Sequence, residues 1–140
     1  YILTLHWHWF FDGDTAWTQK RKKKVDVGAM VTPGTPENRQ LMKELSKTAD
    51  TLQVFEDAGT PVLWRPLHEI DGGWFWWTDR KNPENTAKLW QIMFDYFTTV
   101  RKLDNLIWVY SAAAVKTRTA EYHKGFYPGA KYVDISGIDV

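Results

Sequence analysis

The sequence predicts an α/β fold built on a parallel sheet, and three observations carry that reading. Strand-like and helix-like segments alternate along the 140 residues in the order β, α, β, α, β, a short α, β, which implies parallel strands joined by helical crossovers. The run LIWVY, Leu106 to Tyr110, is apolar on both faces, as strands buried on both sides are. The polar residues His8, Glu69, Ser111 and Asp139 fall at or just after strand C-terminal ends. Both (β/α)8 TIM barrels and doubly wound sheets place their ligands at that edge. Four strands are half of an eight-stranded barrel, which takes about 250 residues. Because strand-like sequence stands at both ends of the chain, residues 1–140 are expected to form an incomplete (β/α)8 barrel, a piece of one larger enzyme domain with no second domain.

The elements follow in order. From Ile2 to Trp9 the chain alternates, with Ile2, Thr4, His6 and His8 on one face and Leu3, Leu5, Trp7 and Trp9 on the other. Residues 10–35 read as a long irregular connection containing Asp12-Gly13-Asp14, the basic run Lys20 to Lys24, and Pro33-Gly34. Thr35 then caps a helix with Pro36 in its first turn and Leu41, Leu45, Ala49, Leu52 and Phe55 at helical spacing, closed by Gly59. Pro61 leads into the second strand. Asn82 and Pro83 open a further helix with Trp90, Met93, Phe94, Phe97 and Val100 on its apolar face, and the third strand runs from Asn105 to Tyr110. A short helix over Thr119 to Lys124, a turn at Pro128-Gly129 and a strand from Tyr132 to Ile138 complete the chain.

Composition narrows the function classes. Lys plus Arg number 18 against 17 for Asp plus Glu, which leaves no general electrostatic footprint for nucleic acid or an anionic membrane. The basic run from Lys20 to Lys24 is read as a solvated loop. No apolar run approaches the roughly 20 residues of a membrane span. The absence of cysteine excludes disulfide and thiolate chemistry. Nine tryptophans exceed what a core of this size requires, so part of them is expected at a ligand surface.

The chemistry concentrates in PVLWRPLHEIDGGWFWW, Pro61 to Trp77. Strand alternation puts Leu63, Arg65, Leu67 and Glu69 on one face, so an acid and its cationic neighbour share a side. Indoles beside that acid offer flat apolar platforms. A carbohydrate site needs both, because sugar rings present C–H faces for stacking and glycosidic cleavage needs a positioned proton donor.

The run RPLHEIDGGWFWW, Arg65 to Trp77, resembles the acid/base motif on the fourth barrel strand of glycoside hydrolase family 26, a family of endo-β-1,4-mannanases. HWHW at His6 to Trp9 is similar to that family's third strand, and YPGAKYVDISGID at Tyr127 to Asp139 resembles its sixth-strand region. The resemblance implies a glycosidase barrel that hydrolyses mannan or a related β-glycan with retention of configuration. It implies Glu69 as general acid/base, Arg65 and His68 as polar neighbours in the site, Trp74 as sugar-stacking platform and His8 as a substrate contact. The nucleophilic glutamate is expected on the seventh strand, beyond Val140. No cofactor or metal is implied, and the family's location is secreted or periplasmic. Asp71 and Ser111-Ala112-Ala113 depart from the Asn and Ser-Pro-Asn usual in the family.

Each assignment has a plainer competitor. Arg65 and Glu69 could form a structural ion pair. Trp64, Trp90 and Trp108 have the spacing of core residues, Trp76 and Trp77 are expected to pack rather than to bind, and His123 is given no role. Two other functions compete. A metal-dependent hydrolase could use His6 and His8 with His68 and Asp139, and a non-catalytic carbohydrate-binding barrel could keep the platforms alone.

Overall fold

The computed structural model describes residues 2–140. Four strands form one parallel sheet: β1 (Leu3–His6), β2 (Val62–Arg65), β3 (Leu106–Ala113) and β4 (Ile135–Asp139), in the spatial order β1-β2-β3-β4. Sequential order without reversal removes the doubly wound alternative, whose ligand crevice requires a switch point. The sheet with its helices is a segment of a (β/α) barrel. Register pairs His6 with Arg65 and Ser111 with Gly137, so the C-terminal ends of the strands lie along one edge.

Between the strands run α1 (Val27–Met30), α2 (Pro36–Asp57), α3 (Pro83–Asp95) and α4 (Ala120–Phe126). Thr35 caps α2 by accepting from the Asn38 N–H at 3.0 Å, and Pro36 fills a first-turn position that needs no donor. Leu41, Leu45, Ala49 and Leu52 of α2 are buried. Gly59 takes the left-handed conformation (φ 59°) that ends the helix. Beyond Asp95 the α3 helix continues as a π-helical turn, Tyr96–Val100. That wider turn shifts the register, so Phe97 stays buried while Val100 is exposed, contrary to the simple helical spacing.

Residues 10–35 are more ordered than a loop reading allows. Arg21 donates to the carbonyls of Thr15 (2.6 Å) and Phe11 (3.0 Å), and Asp14 accepts from the backbone of Thr15 and Lys22. Those backbone donors hold the Asp14 carboxyl below its usual pKa. Asp26 caps α1 through the Ala29 N–H. Phe11, Ala16, Val27, Met30 and Val31 are buried by this segment. Its charges behave as expected, with Lys20, Lys22, Lys23 and Lys24 exposed.

Tryptophan use follows the expectation for Trp64, Trp90 and Trp108 in the core and for Trp76 and Trp77 in packing, and adds Trp9. Six of the nine, Trp9, Trp64, Trp76, Trp77, Trp90 and Trp108, are buried core residues. Only Trp7, Trp17 and Trp74 retain substantial exposed surface, so the surplus serves packing more than binding. The last strand also starts later than its alternation suggests, at Ile135, because Ala130–Tyr132 forms a 3-10 turn. Among the described residues no helix is long and apolar enough to cross a membrane.

Candidate active site

Strand β2 stops at Arg65, and the backbone then turns sharply. Leu67 and Glu69 both adopt left-handed φ values of 48°, uncommon for residues with a side chain. Such conformations persist where surrounding structure imposes them, and they cluster at functional sites. The turn breaks the alternation expected through Glu69: Leu67 points into the core and is fully buried, while Glu69 is partly exposed.

Glu69 and Arg65 consequently do not pair. The Arg65 guanidinium bonds to Asp139, to Ser111 Oγ through Nε (3.1 Å), and to His6 Nδ1 through Nη1 (2.6 Å). Glu69 instead accepts a hydrogen bond from Trp74, whose Nε1 lies 2.6 Å from Oε2. The indole packs so closely on Gly72 that a Cβ there would sit 2.6 Å from Trp74 Cε2, and only glycine permits that approach.

On the other side of the acid, His6, His8 and His68 gather. The His68 ring centroid is 3.8 Å from that of His6 and 4.5 Å from that of His8, and His6 stacks on His8 at 4.9 Å. His68 is 4% exposed. Burial, and then the neighbouring histidines and Arg65, push its pKa down to about 3, so its imidazole is neutral near neutral pH. Burial and Arg65 also lower His6. Neutral rings act as donor and acceptor toward hydroxyl groups without adding charge to the site.

The three histidines offer ligand atoms within 4.8 Å of one another, as the metal reading requires. The donor chemistry does not favour it. Arg65 can only donate, so His6 Nδ1 accepts, and the neutral ring then carries its proton on Nε2, leaving no free lone pair for a cation. Asp139, the proposed further ligand, is taken up by Arg65 and by Ser111 Oγ at 2.9 Å.

An open cleft of about 540 Å³ joins these groups, lined by His6, His8, Trp17, His68, Glu69, Phe75 and Asp139. The structure therefore brings Glu69, His8 and His68 to one cavity, with Trp74 bonded to Glu69 and Arg65 behind it holding the strand ends together. Trp76 packs against Trp9 and donates to its carbonyl at 2.7 Å, while Trp77 is fully buried.

Sequence reasoning missed the partnerships behind the motif. Asp71 is completely buried, accepts from the Ala113 N–H at 2.8 Å and bonds to His123 Nδ1, so His123 does have a partner in the fold. Arg118 donates to the Gly72 carbonyl at 2.6 Å. The long first connection was also not recognised as part of the site. Thr18 N–H donates to the Trp74 carbonyl (2.8 Å) and Trp76 N–H to the Ala16 carbonyl (3.0 Å), which laces that segment onto the tryptophan run and brings Trp17 to the cleft. Adjacency in the motif signalled Asp71; nothing local to Trp17, Arg118 or His123 signalled their partners.

Comparison with known proteins agrees with the geometry. The family model described as Glycosyl hydrolase family 26 matches residues 1–140. Mannan endo-1,4-beta-mannosidase of Bacillus subtilis (strain 168) is 46% identical over 112 residues, covering 75% of this chain and 30% of that protein. Mannan endo-1,4-beta-mannosidase B of Piromyces sp is 32% identical over 141 residues, covering 99% and 23%. Among solved structures, the beta-mannanase from a symbiotic protist of the termite Reticulitermes speratus, complexed with gluco-manno-oligosaccharide, superposes with a TM-score of 0.82 at 39% identity, covering 99% of this chain and 42% of that one. The chain thus spans less than a third of these curated relatives and about two fifths of that structure.

Proposed function

The chain belongs to glycosyl hydrolase family 26, and from that premise we propose that it supplies the acid/base side of an endo-β-1,4-mannanase site in a single catalytic barrel domain. The observation that carries the reading is the Glu69–Trp74 pair at the C-terminal edge of a parallel sheet, where a carboxyl group and an indole are held as one unit beside an open cleft. Glu69 is the general acid/base, protonating the leaving glycosidic oxygen and then activating water. Trp74 offers the sugar a stacking face, His8 bonds its hydroxyls, and His68 does so as a neutral ring. Arg65 does not touch substrate in this scheme. It ties β1, β2, β3 and β4 together at the edge where Glu69 stands.

Retention of configuration needs a second carboxylate about 5 to 5.5 Å from the first to attack the anomeric carbon. Asp139 does not suit that role, since both its oxygens are bonded, one to Ser111 and one to Arg65. Family resemblance assigns the nucleophile to a glutamate on the seventh barrel strand, outside these four. A polymer too large to enter a cell calls for a secreted or periplasmic enzyme.

The test is hydrolysis by the full-length protein of mannan, glucomannan, mixed-linkage β-glucan and β-xylan, with reducing ends quantified and the first-formed anomer read by NMR. The proposal expects mannan or glucomannan to be cleaved internally, with the β-anomer appearing first. Preference for β-glucan or β-xylan would move the substrate class, and an α-anomer formed first would overturn the double displacement.

A further inference from the structure

We propose that Arg118 is a positioning residue for the Glu69–Trp74 pair. The proposal rests on the glycosidase reading of that pair and adds a residue that stands outside the cleft. Arg118 lies in the short connection between β3 and α4, far from the motif in sequence, and its side chain is 12% exposed.

Its guanidinium has neighbours on three sides, one of them a hydrogen bond. Nη2 donates to the Gly72 carbonyl at 2.6 Å, Nη1 stands 3.8 Å from the buried carboxylate of Asp71, and the flat cation lies 4.9 Å from the Tyr122 ring centroid and 5.7 Å from that of Trp74. The planar fork suits this task because it can bond a carbonyl, face a carboxylate and stack on rings at once, which an ammonium cannot. Tyr122 adds a bond from its hydroxyl to the Asp71 carbonyl at 2.8 Å. The Asp71-Gly72 turn is therefore held from behind by the β3–α4 connection, and Trp74 is seated on Gly72 and bordered by Arg118.

The consequence reaches the acid through a short path. Gly72 sets where the indole rests, since the Trp74 ring occupies the space a Cβ at Gly72 would fill, and Trp74 Nε1 sets where the Glu69 carboxyl rests. Releasing the Gly72 carbonyl lets the turn, the platform and the proton donor drift together. A displacement of about 1 Å at a reacting group costs on the order of 10²-fold in rate.

The test compares wild type, Arg118→Ala and Arg118→Lys in the full-length protein, by mannan kinetics with and without added guanidinium and by amide hydrogen exchange. Arg118→Ala is expected to lose about 10- to 100-fold in kcat, with a much smaller change in KM. Guanidinium should restore part of the loss by filling the vacated space, methylammonium should not, and Arg118→Lys should remain impaired. Exchange should quicken at Gly72 to Trp74 while α2 keeps its protection. Unchanged kcat and exchange in Arg118→Ala overturn the proposal, and so does a loss that ignores guanidinium and comes with faster exchange throughout the sheet. If wild type fails to cleave mannan, the glycosidase reading falls on that result, and exchange at Gly72 to Trp74 still decides whether Arg118 holds the turn.

Discussion

The guanidinium of Arg65, at the end of β2, is bonded to the carboxylate of Asp139, at the end of β4, two strands away. Ser111 of β3 bridges the gap by accepting from Arg65 and donating to Asp139, and His6 of β1 accepts from the same arginine. One cation therefore joins all four strands at the edge where Glu69 stands.

Asp139→Asn should accordingly cost stability. Removing one partner of a fully buried pair costs about 3–5 kcal/mol, and with the Asp139 side chain 27% exposed the expected loss is smaller, about 1–3 kcal/mol. Arg65→Lys should also destabilise, because an ammonium cannot reproduce the fork toward Ser111, Asp139 and His6. Thermal unfolding of both variants checks this; an unchanged melting temperature for Asp139→Asn would remove the clamp from the account.

Glu69→Gln retains volume and can still accept from Trp74, but it has no proton to transfer. Turnover of mannan should fall by roughly 10² to 10⁴, with little change in binding of oligosaccharide. Aryl glycosides with good leaving groups should lose less in the first step, since they need less protonation. Near-normal cleavage of mannan by the variant would show that the acid is another group.

The fold was legible because its signals are local and repeated: alternation in Leu3 to Trp9, the Thr35-Pro36 start of α2, and the two-faced apolar run of β3 each point to one element. The placement of Glu69, His6, His8 and His68 was legible because they stand at or just after strand-like runs. What escaped were relations fixed by tertiary placement. Strand periodicity projected Arg65 and Glu69 onto one face, and the left-handed turns at Leu67 and Glu69 sent them apart. The π-helical turn that exposes Val100 has no sequence pattern of its own. His123 looked idle because Asp71, its partner, lies 52 positions away in the chain.

Trp74 and Trp76 separate platform from packing. Trp74→Phe keeps an aromatic face but removes the N–H that bonds Glu69, so kcat should fall while oligosaccharide affinity declines only modestly. Trp76→Ala should act on stability, losing about 3–5 kcal/mol through the cavity it leaves and the broken bond to the Trp9 carbonyl. Calorimetric binding, kinetics and melting temperatures together decide; a Trp76→Ala protein of normal stability but poor sugar binding would invert the assignment.

His68 makes stability depend on pH in a defined direction. In the folded chain its imidazole takes a proton only near pH 3, whereas the unfolded value is 6.5. Between those limits the unfolded chain binds more protons than the folded one, so stability falls as pH falls through that window and is unaffected by this group above it. The slope from one such group reaches at most about 1.4 kcal/mol per pH unit. His6, lowered for similar reasons, acts in the same sense. Native-state carboxylates bonded as Asp14 is also weaken the fold in acid, so the comparison that isolates the imidazole is wild type against His68→Gln. Melting temperature followed from pH 6.5 down to about 4.5 should decline more steeply in wild type than in the variant. Parallel profiles would mean that His68 takes up its proton over the same pH range folded as unfolded, so that its ring would be neutral only above about pH 6.5.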